Sequence, residues 1–203
     1  MQLALKIKKG ETLVIASHNN GKIIEFKTLL SKFKLNIITS GELGIKDVKE
    51  TGKTFLENSL IKARSVSDDF ISISDDSGLC VEGLDNRPGI YSSRFQKKCG
   101  GWFNAMKKIF YEVKEKKPLN YNAKFFCCIS IKFNKKRIFS YNGETKGKIV
   151  WPPRGDNGFG YDPFFIPNGS RKTFGEMSHE KKILIDHRSV ALNKLIKEHL
   201  IDN

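Results

Sequence analysis

Phe70-Ile71-Ser72-Ile73-Ser74-Asp75-Asp76-Ser77-Gly78-Leu79-Cys80-Val81 places two adjacent carboxylates between two short apolar runs. Ile71 and Ile73 recur at period two, the spacing of a half-buried strand. Ser77-Gly78 is turn chemistry. On this reading the acids close a strand, where open α/β sheets gather their ligands. Neighbouring carboxylates repel unless a cation or a donor lies between them. The same residues also suit a solvated turn, because Asp, Ser and Gly favour turns.

Working toward the N-terminus, Thr12-Leu13-Val14-Ile15-Ala16 is a continuous apolar run and predicts a buried strand. Ser17-His18-Asn19-Asn20-Gly21-Lys22 follows, and then Ile23, Phe26 and Leu30 at helical spacing. Strand, Gly-containing turn and helix present backbone N–H groups at a helix N-terminus, where anions bind. The GxxxxGK[ST] spacing of a P-loop is absent. A plain strand-to-helix connection fits these residues as well. Leu35–Thr39 predicts a second strand and Ser40–Lys53 a polar loop with Glu50-Thr51-Gly52. Thr54 with Glu57 three residues on is a capping-box pattern, so a helix starts there. Leu56, Leu60 and Ala63 would form its apolar side, while Asn58 and Lys62 share another face, which suits either a cleft or solvent.

On the C-terminal side, Trp102 to Lys114 has helical apolar spacing. Ala123–Phe133 and Arg137–Glu144 predict two strands joined at Asn134-Lys135-Lys136. Phe125, Cys127, Ile129 and Ile131 would share one face. Pro152 to Gly160 is a Pro/Gly-rich loop ending in Phe159-Gly160-Tyr161-Asp162-Pro163. Gly beside aromatics lets a flat ring approach the backbone, so Phe159 or Tyr161 can stack on a base. A tightly packed aromatic loop is the competing reading. Ser178 to Leu200 reads as helical and carries Lys182 and His187-Arg188.

The 203 residues are 39% hydrophobic and 29% charged, a soluble composition able to bury a core, read as a single domain over 1–203. Net charge of +14 favours anionic partners. Cys80, Cys99, Cys127 and Cys128 form no CxxC pair, which argues against a zinc knuckle or redox motif and for reduced thiols in the cytoplasm. An apolar signal core and a run long enough to span a membrane are both absent from the sequence. Carboxylates, cations and a phosphate-type turn together suit a nucleotide phosphate hydrolase or transferase working with Mg²⁺.

Six segments, in order, resemble the Ham1/inosine triphosphatase family. They are Ser17–Lys22 with Glu25; Glu50–Asn58 with Lys62-Ala63; Asp75–Leu79; Pro88–Arg94; Gly158–Pro163; and Lys182 with His187-Arg188. The resemblance implies an α/β fold with an elongated central mixed β-sheet, flanking helices and two lobes around a deep substrate cleft. It implies a homodimer. It also implies hydrolysis of non-canonical purine nucleoside triphosphates (ITP, dITP, XTP) to monophosphate and pyrophosphate. On the same basis Asp76 is the catalytic carboxylate, and Glu50, Asp75 and Asp76 hold Mg²⁺, with Mn²⁺ as a substitute. Ser17, His18, Asn19, Asn20, Gly21, Lys22, Lys62 and Ser77 contact the substrate. Phe159, Gly160, Tyr161, Asp162, Lys182, His187 and Arg188 surround the base. Lys49, Ser59 and Asp186 depart from the family's usual residues, which bears on the metal ligands and on base selectivity.

Two other readings are weighed. One is a pyrophosphatase acting on other modified nucleotides. The other is a basic nucleic-acid-binding protein. Along the chain the aromatics do not interleave with basic residues as a stacking platform would, so no specific nucleic acid is expected.

Overall fold

A computed structural model of the chain describes residues 5–201. Its elements are β1 (Thr12–Ile15), α1 (Asn20–Leu30), β2 (Asn36–Thr39), α2 (Phe55–Arg64) and β3 (Ile71–Val81). They continue with β4 (Arg87–Pro88), α3 (Ser92–Lys98), α4 (Trp102–Lys114), β5 (Asn122–Asn134) and β6 (Arg137–Ile149). β7 (Phe165–Pro167), α5 (His179–Lys182) and α6 (His187–His199) complete the chain. The sheet runs β2-β1-β3-β5-β6-β7, with β4 on β3. It is mixed: β1 pairs parallel with β2 and β3, whereas β4 and β7 pair antiparallel with β3 and β6. No helix among the described residues is long and apolar enough to cross a membrane.

The chain divides into two compact units, one of residues 1–76, 127–143 and 188–203 and the other of 77–126 and 144–187. The first unit packs Ile15, Phe26, Leu30, Ile73, Cys127, Ile129, Ala191 and Leu192 into one core. The second packs Leu79, Met106, Ile109, Phe125, Phe164, Phe165 and Phe174 into another.

The decisive stretch is a strand throughout. β3 runs eleven residues, so Asp75 and Asp76 lie mid-strand and Ser77-Gly78 makes no turn. This corrects the strand-end placement, and its physical cause is Gly78. A Cβ there would sit 2.2 Å from the carbonyl oxygen of Gly89. A glycine within a strand often marks such a close backbone approach rather than a turn.

Helix α2 also departs from expectation. Thr54 accepts from the Glu57 N–H, but the Glu57 carboxylate accepts from Lys53, one residue before the cap. Leu56, assigned to the apolar side, is exposed, while Asn58, Ser59 and Lys62 are buried. The polar face turns inward because partners await it. Ser74 Oγ donates to the Ser59 carbonyl at 2.6 Å and Ser72 Oγ to the Ala63 carbonyl at 2.9 Å. The Ser59 and Ser130 hydroxyls lie 2.7 Å apart. Buried polar groups are tolerated where each finds a partner.

The two cysteines on β5 do point opposite ways, Cys127 toward Asp75 and Cys128 toward Ser59. The helix expected over 178–200 is broken into α5 and α6 by Ile183–Asp186. The strand expected to end at Glu144 runs on through Ile149 as β6.

Gly78→Ala should destabilise the fold by about 1–3 kcal/mol or more, because backbone rather than a flexible side chain blocks the new methyl. Gly41→Ala, whose Cβ would meet only Thr39 Oγ1 at 3.9 Å, should be close to neutral. Urea midpoints of the two variants decide it, and equal midpoints would reject the close-packing account.

Candidate active site

Strand alternation directs the adjacent carboxylates of β3 to opposite faces. Asp76 shares its parity with Ser72 and Ser74 and faces α2. Asn58 Nδ2 donates to Asp76 Oδ2 at 2.9 Å, and Lys62 Nζ lies 3.8 Å from Asp76 Oδ1. Asn58 is itself held, since its Oδ1 accepts from the Gly52 N–H at 2.9 Å. Lys62 Nζ donates to Glu50 Oε1 at 2.6 Å, so the ammonium is bracketed by two carboxylates. Asp76 is 4% exposed. Burial pushes its carboxyl above the ordinary Asp value, Glu50 adds to this, and Lys62, Lys22 and Asn58 only partly offset it. Burial alone would lower the Lys62 ammonium, but the charges of Asp76, Asp75 and Glu50 raise it, so it stays charged.

Asp75, 1% exposed, shares its parity with Ile71 and Ile73 and meets α1 and α6. Its Oδ2 takes Lys22 Nζ at 3.0 Å, Arg188 Nη2 at 3.0 Å and Arg188 Nε at 3.3 Å. The remaining guanidinium nitrogen, Arg188 Nη1, donates to Glu25, which is also buried. Burial alone would raise Asp75; the charges of Lys22, Arg188 and Lys62 overcome it and hold the carboxyl well below the usual range. Asp75 Oδ1 is buried and has no hydrogen-bond partner.

The turn before α1 is built as its residues suggest. Asn19 caps the helix, its Oδ1 accepting from the Lys22 N–H at 3.1 Å, and Ser17 Oγ accepts from the Asn19 N–H at 3.2 Å. His18, Asn19 and Asn20 are exposed, and Gly21 and Lys22 are half-buried. His18 Nε2 donates to the Ile45 carbonyl at 2.9 Å, and its Nδ1 lies 3.6 Å from Asp47. His18 therefore ties the loop that carries Glu50 to the turn that carries Lys22.

In the second unit another group of expected residues assembles. Asp162 Oδ2 accepts from the Phe159 N–H at 2.8 Å and from Lys182 Nζ at 2.7 Å. Lys182 is buried, with its Nζ 4.7 Å from the Phe159 ring centroid. Gly158 at φ +76° has no room for a side chain, because a Cβ would come within 2.1 Å of Asp162 Oδ2. Gly160 also has a positive φ and lies over Trp102. His187 stacks on Phe125 with centroids 4.8 Å apart. Ser77 is half-buried, next to Asp76 in β3.

Two residues that the resemblance puts around the base make contacts of their own. Tyr161 is 2% exposed and packs edge-on against Trp102 in the core, so Phe159 is the aromatic left partly open. Arg188 pairs with Glu25 and Asp75. Glu25 was read only as a motif member, and Asn58 as sharing with Lys62 a face that could point into a cleft. Their signal in the sequence was a polar residue at helical spacing from a lysine, Asn58 to Lys62 and Lys22 to Glu25, which a solvated helix face also produces.

Among the described residues no three His, Cys, Asp or Glu side chains converge as a ready-made metal cage. Mg²⁺ does not need one, since it is usually held by one or two carboxylates together with substrate phosphates. Glu50 and Asp76 around the Lys62 cation, and the orphaned Asp75 Oδ1, are oxygens of the kind it takes.

A family model described as the Ham1 family matches residues 13–198. A dITP/XTP pyrophosphatase of Zymomonas mobilis is 41% identical over 187 residues, covering 91% of this chain and 90% of its own. A dITP/XTP pyrophosphatase of Prochlorococcus marinus is 44% identical, with 91% of each chain covered. The solved HAM1 protein of Coxiella burnetii superposes with a TM-score of 0.84 at 33% identity, covering 92% of this chain and 97% of that one. The Staphylococcus aureus Ham1 protein gives 0.79 at 34% identity, covering 91% and 96%. With the motifs, the sheet and the buried carboxylates in agreement, the chain belongs to the Ham1 family.

Proposed function

We propose that this protein hydrolyses non-canonical purine nucleoside triphosphates, dITP, ITP and XTP, to the monophosphate and pyrophosphate. The observation that carries the mechanism is a pair of buried adjacent acids held by different partners. Asp75 is fixed as an anion by Lys22 and Arg188, whereas burial raises the proton affinity of Asp76. Neighbouring carboxylates pushed apart in this way divide into a structural charge and a proton acceptor. Asp76 takes the proton of the water that attacks phosphorus, and its raised pKa moves it toward the range where a general base works. Asn58 aims its carboxylate, donating to Oδ2.

Lys22, Lys62, Ser17 and the amides at the start of α1 hold the phosphates and offset the charge that builds up as the bond to pyrophosphate breaks. Glu50 and Asp76 would hold Mg²⁺, or Mn²⁺ in its place, while Asp75, on the opposite face of β3, supplies a fixed negative charge. When bound, this ion neutralises phosphate charge and favours ionisation of water. His18 keeps the Glu50 loop in place, and Asn19, Asn20 and Gly21 form the phosphate turn.

Phe159, Gly160, Asp162, Lys182 and His187 would contact the base, with Ser77 also at the substrate. Hypoxanthine and xanthine carry an oxygen where adenine carries an amino group. A lysine ammonium is donor-only, so it matches the oxygen and faces the adenine amino group donor to donor. Asp162 fixes that ammonium, and the Phe159 ring lies beside it. Arg188 acts here through Asp75, and a homodimer is the assembly we propose for the family member.

The direct test is pyrophosphate release from ITP, XTP, ATP, GTP and dTTP with and without Mg²⁺. Metal-dependent release, fast on ITP and XTP and slow on ATP, is expected; orthophosphate release or equal rates on all bases would reject the reading. Asp76→Asn should keep the circular dichroism spectrum and lower kcat by about 10²–10⁴ with little change in KM. Near-normal turnover would remove Asp76 from the chemistry. Lys182→Met should narrow the ITP-over-ATP ratio of kcat/KM by about tenfold, the loss of one hydrogen bond to a charged donor. An unchanged ratio would move base selection to other residues.

A further inference from the structure

Outside the catalytic residues, α4 carries a pattern hidden in the linear sequence. Phe103, Lys107, Tyr111 and Lys114 follow one another at steps of four, four and three residues, the spacing of neighbours on one helix face. All four are exposed, Phe103 at 58% and Tyr111 at 45%. The opposite face, Ala105, Met106, Ile109 and Val113, is buried in the core. Aromatic and cation therefore alternate along an outward stripe. Phe103 and Tyr111 are about 12 Å apart along the helix axis at 1.5 Å of rise per residue.

The rings are buttressed. Trp151 lies 5.5 Å from Phe103 and 6.1 Å from Tyr111, and it stacks on Phe110 at 5.7 Å with planes 24° apart. Lys114 Nζ stands 5.9 Å from the Tyr111 ring centroid. Exposed aromatic groups of this extent on a soluble protein mark an interaction surface.

We propose that this outward face of α4, with Trp151 beside it, binds single-stranded nucleic acid. Such sites combine stacking rings with cations that follow the phosphate backbone, and they tolerate many sequences because every base offers a π-face. The rings of Phe103 and Tyr111 supply the stacking faces, and Lys107 and Lys114 supply the cations between and beyond them. The chain's +14 charge favours a polyanion in addition. A second copy of the chain is the less suited occupant. It would bring the same lysines against these, and interface centres are poor in Lys. The proposal does not rest on the hydrolytic reading, since none of its residues has a role there.

The test is fluorescence anisotropy of a labelled oligothymidylate without a 5′ phosphate, titrated with the whole protein across a KCl series. Excess inorganic triphosphate is included to occupy the phosphate-binding residues. Affinity should fall linearly on a log–log plot against salt. Phe103→Ser with Tyr111→Ser should weaken binding by about tenfold or more at an unchanged salt slope. Lys107→Gln with Lys114→Gln should reduce that slope by about one to two. Unchanged ITP turnover in both double variants confirms that they are folded. Lys135→Gln with Lys136→Gln, in the turn between β5 and β6, should leave binding nearly unchanged. The proposal is overturned by absence of binding at low salt, by indifference to the aromatic pair, or by equal loss in the Lys135/Lys136 variant. It is also overturned if sedimentation finds a dimer that the Phe103/Tyr111 variant dissociates, because a second copy then covers the face.

Discussion

Two carboxylates side by side in the middle of a buried strand are the constraint from which much of the first unit follows. An isolated buried carboxylate would take up a proton rather than stay charged. Asp75 is kept ionised by bringing α1 and α6 to it through Lys22 and Arg188, with Glu25 balancing the guanidinium. A guanidinium suits this work because its planar donors can serve two carboxylates at once. Asp76 receives a neutral amide and a more distant ammonium, so it remains the acid with the higher proton affinity. The pleat of one strand therefore separates an electrostatic anchor from a chemical group.

The same demand explains the inverted helix. α2 turns Asn58, Ser59 and Lys62 inward and leaves Leu56 in water. Removing three polar side chains from solvent is costly unless each finds partners. Here β3 and β5 supply serines, and Asp76 and Glu50 supply carboxylates. The polar contact fixes how α2 lies on the sheet, because hydrogen bonds and ion pairs are directional where apolar packing is not. Lys62 then needs no conformational search to stand between two acids.

In the second unit the division of labour runs the other way. The Gly158–Pro163 segment places Tyr161 in the core and keeps Phe159 partly open beside a buried ammonium. Glycine is required at position 158 for a local reason, since the Asp162 carboxylate occupies the space a side chain would need. One acidic residue thus shapes the loop and holds the lysine. Aromatic content by itself did not distinguish the two rings, because a packed ring and a stacking ring are alike in sequence.

Much was legible without coordinates. Apolar periodicity marked β1, α1, β2, α4 and the β5–β6 pair, because burial of one face imposes a repeat on the chain. The ordered motifs marked the family. Tertiary structure alone decided that Asp75 and Asp76 stand within a strand, since this depends on how near Gly89 comes to Gly78. It decided that Arg188 serves Asp75 and that Tyr161 belongs to the core. It also decided that α4 lines up aromatic and lysine side chains on one exposed face. A sequence records what a residue can do, such as donate, accept, carry charge or stack. Which capacity is used is set by the groups that distant parts of the chain bring within about 3–4 Å, the range of hydrogen bonds and close ion pairs.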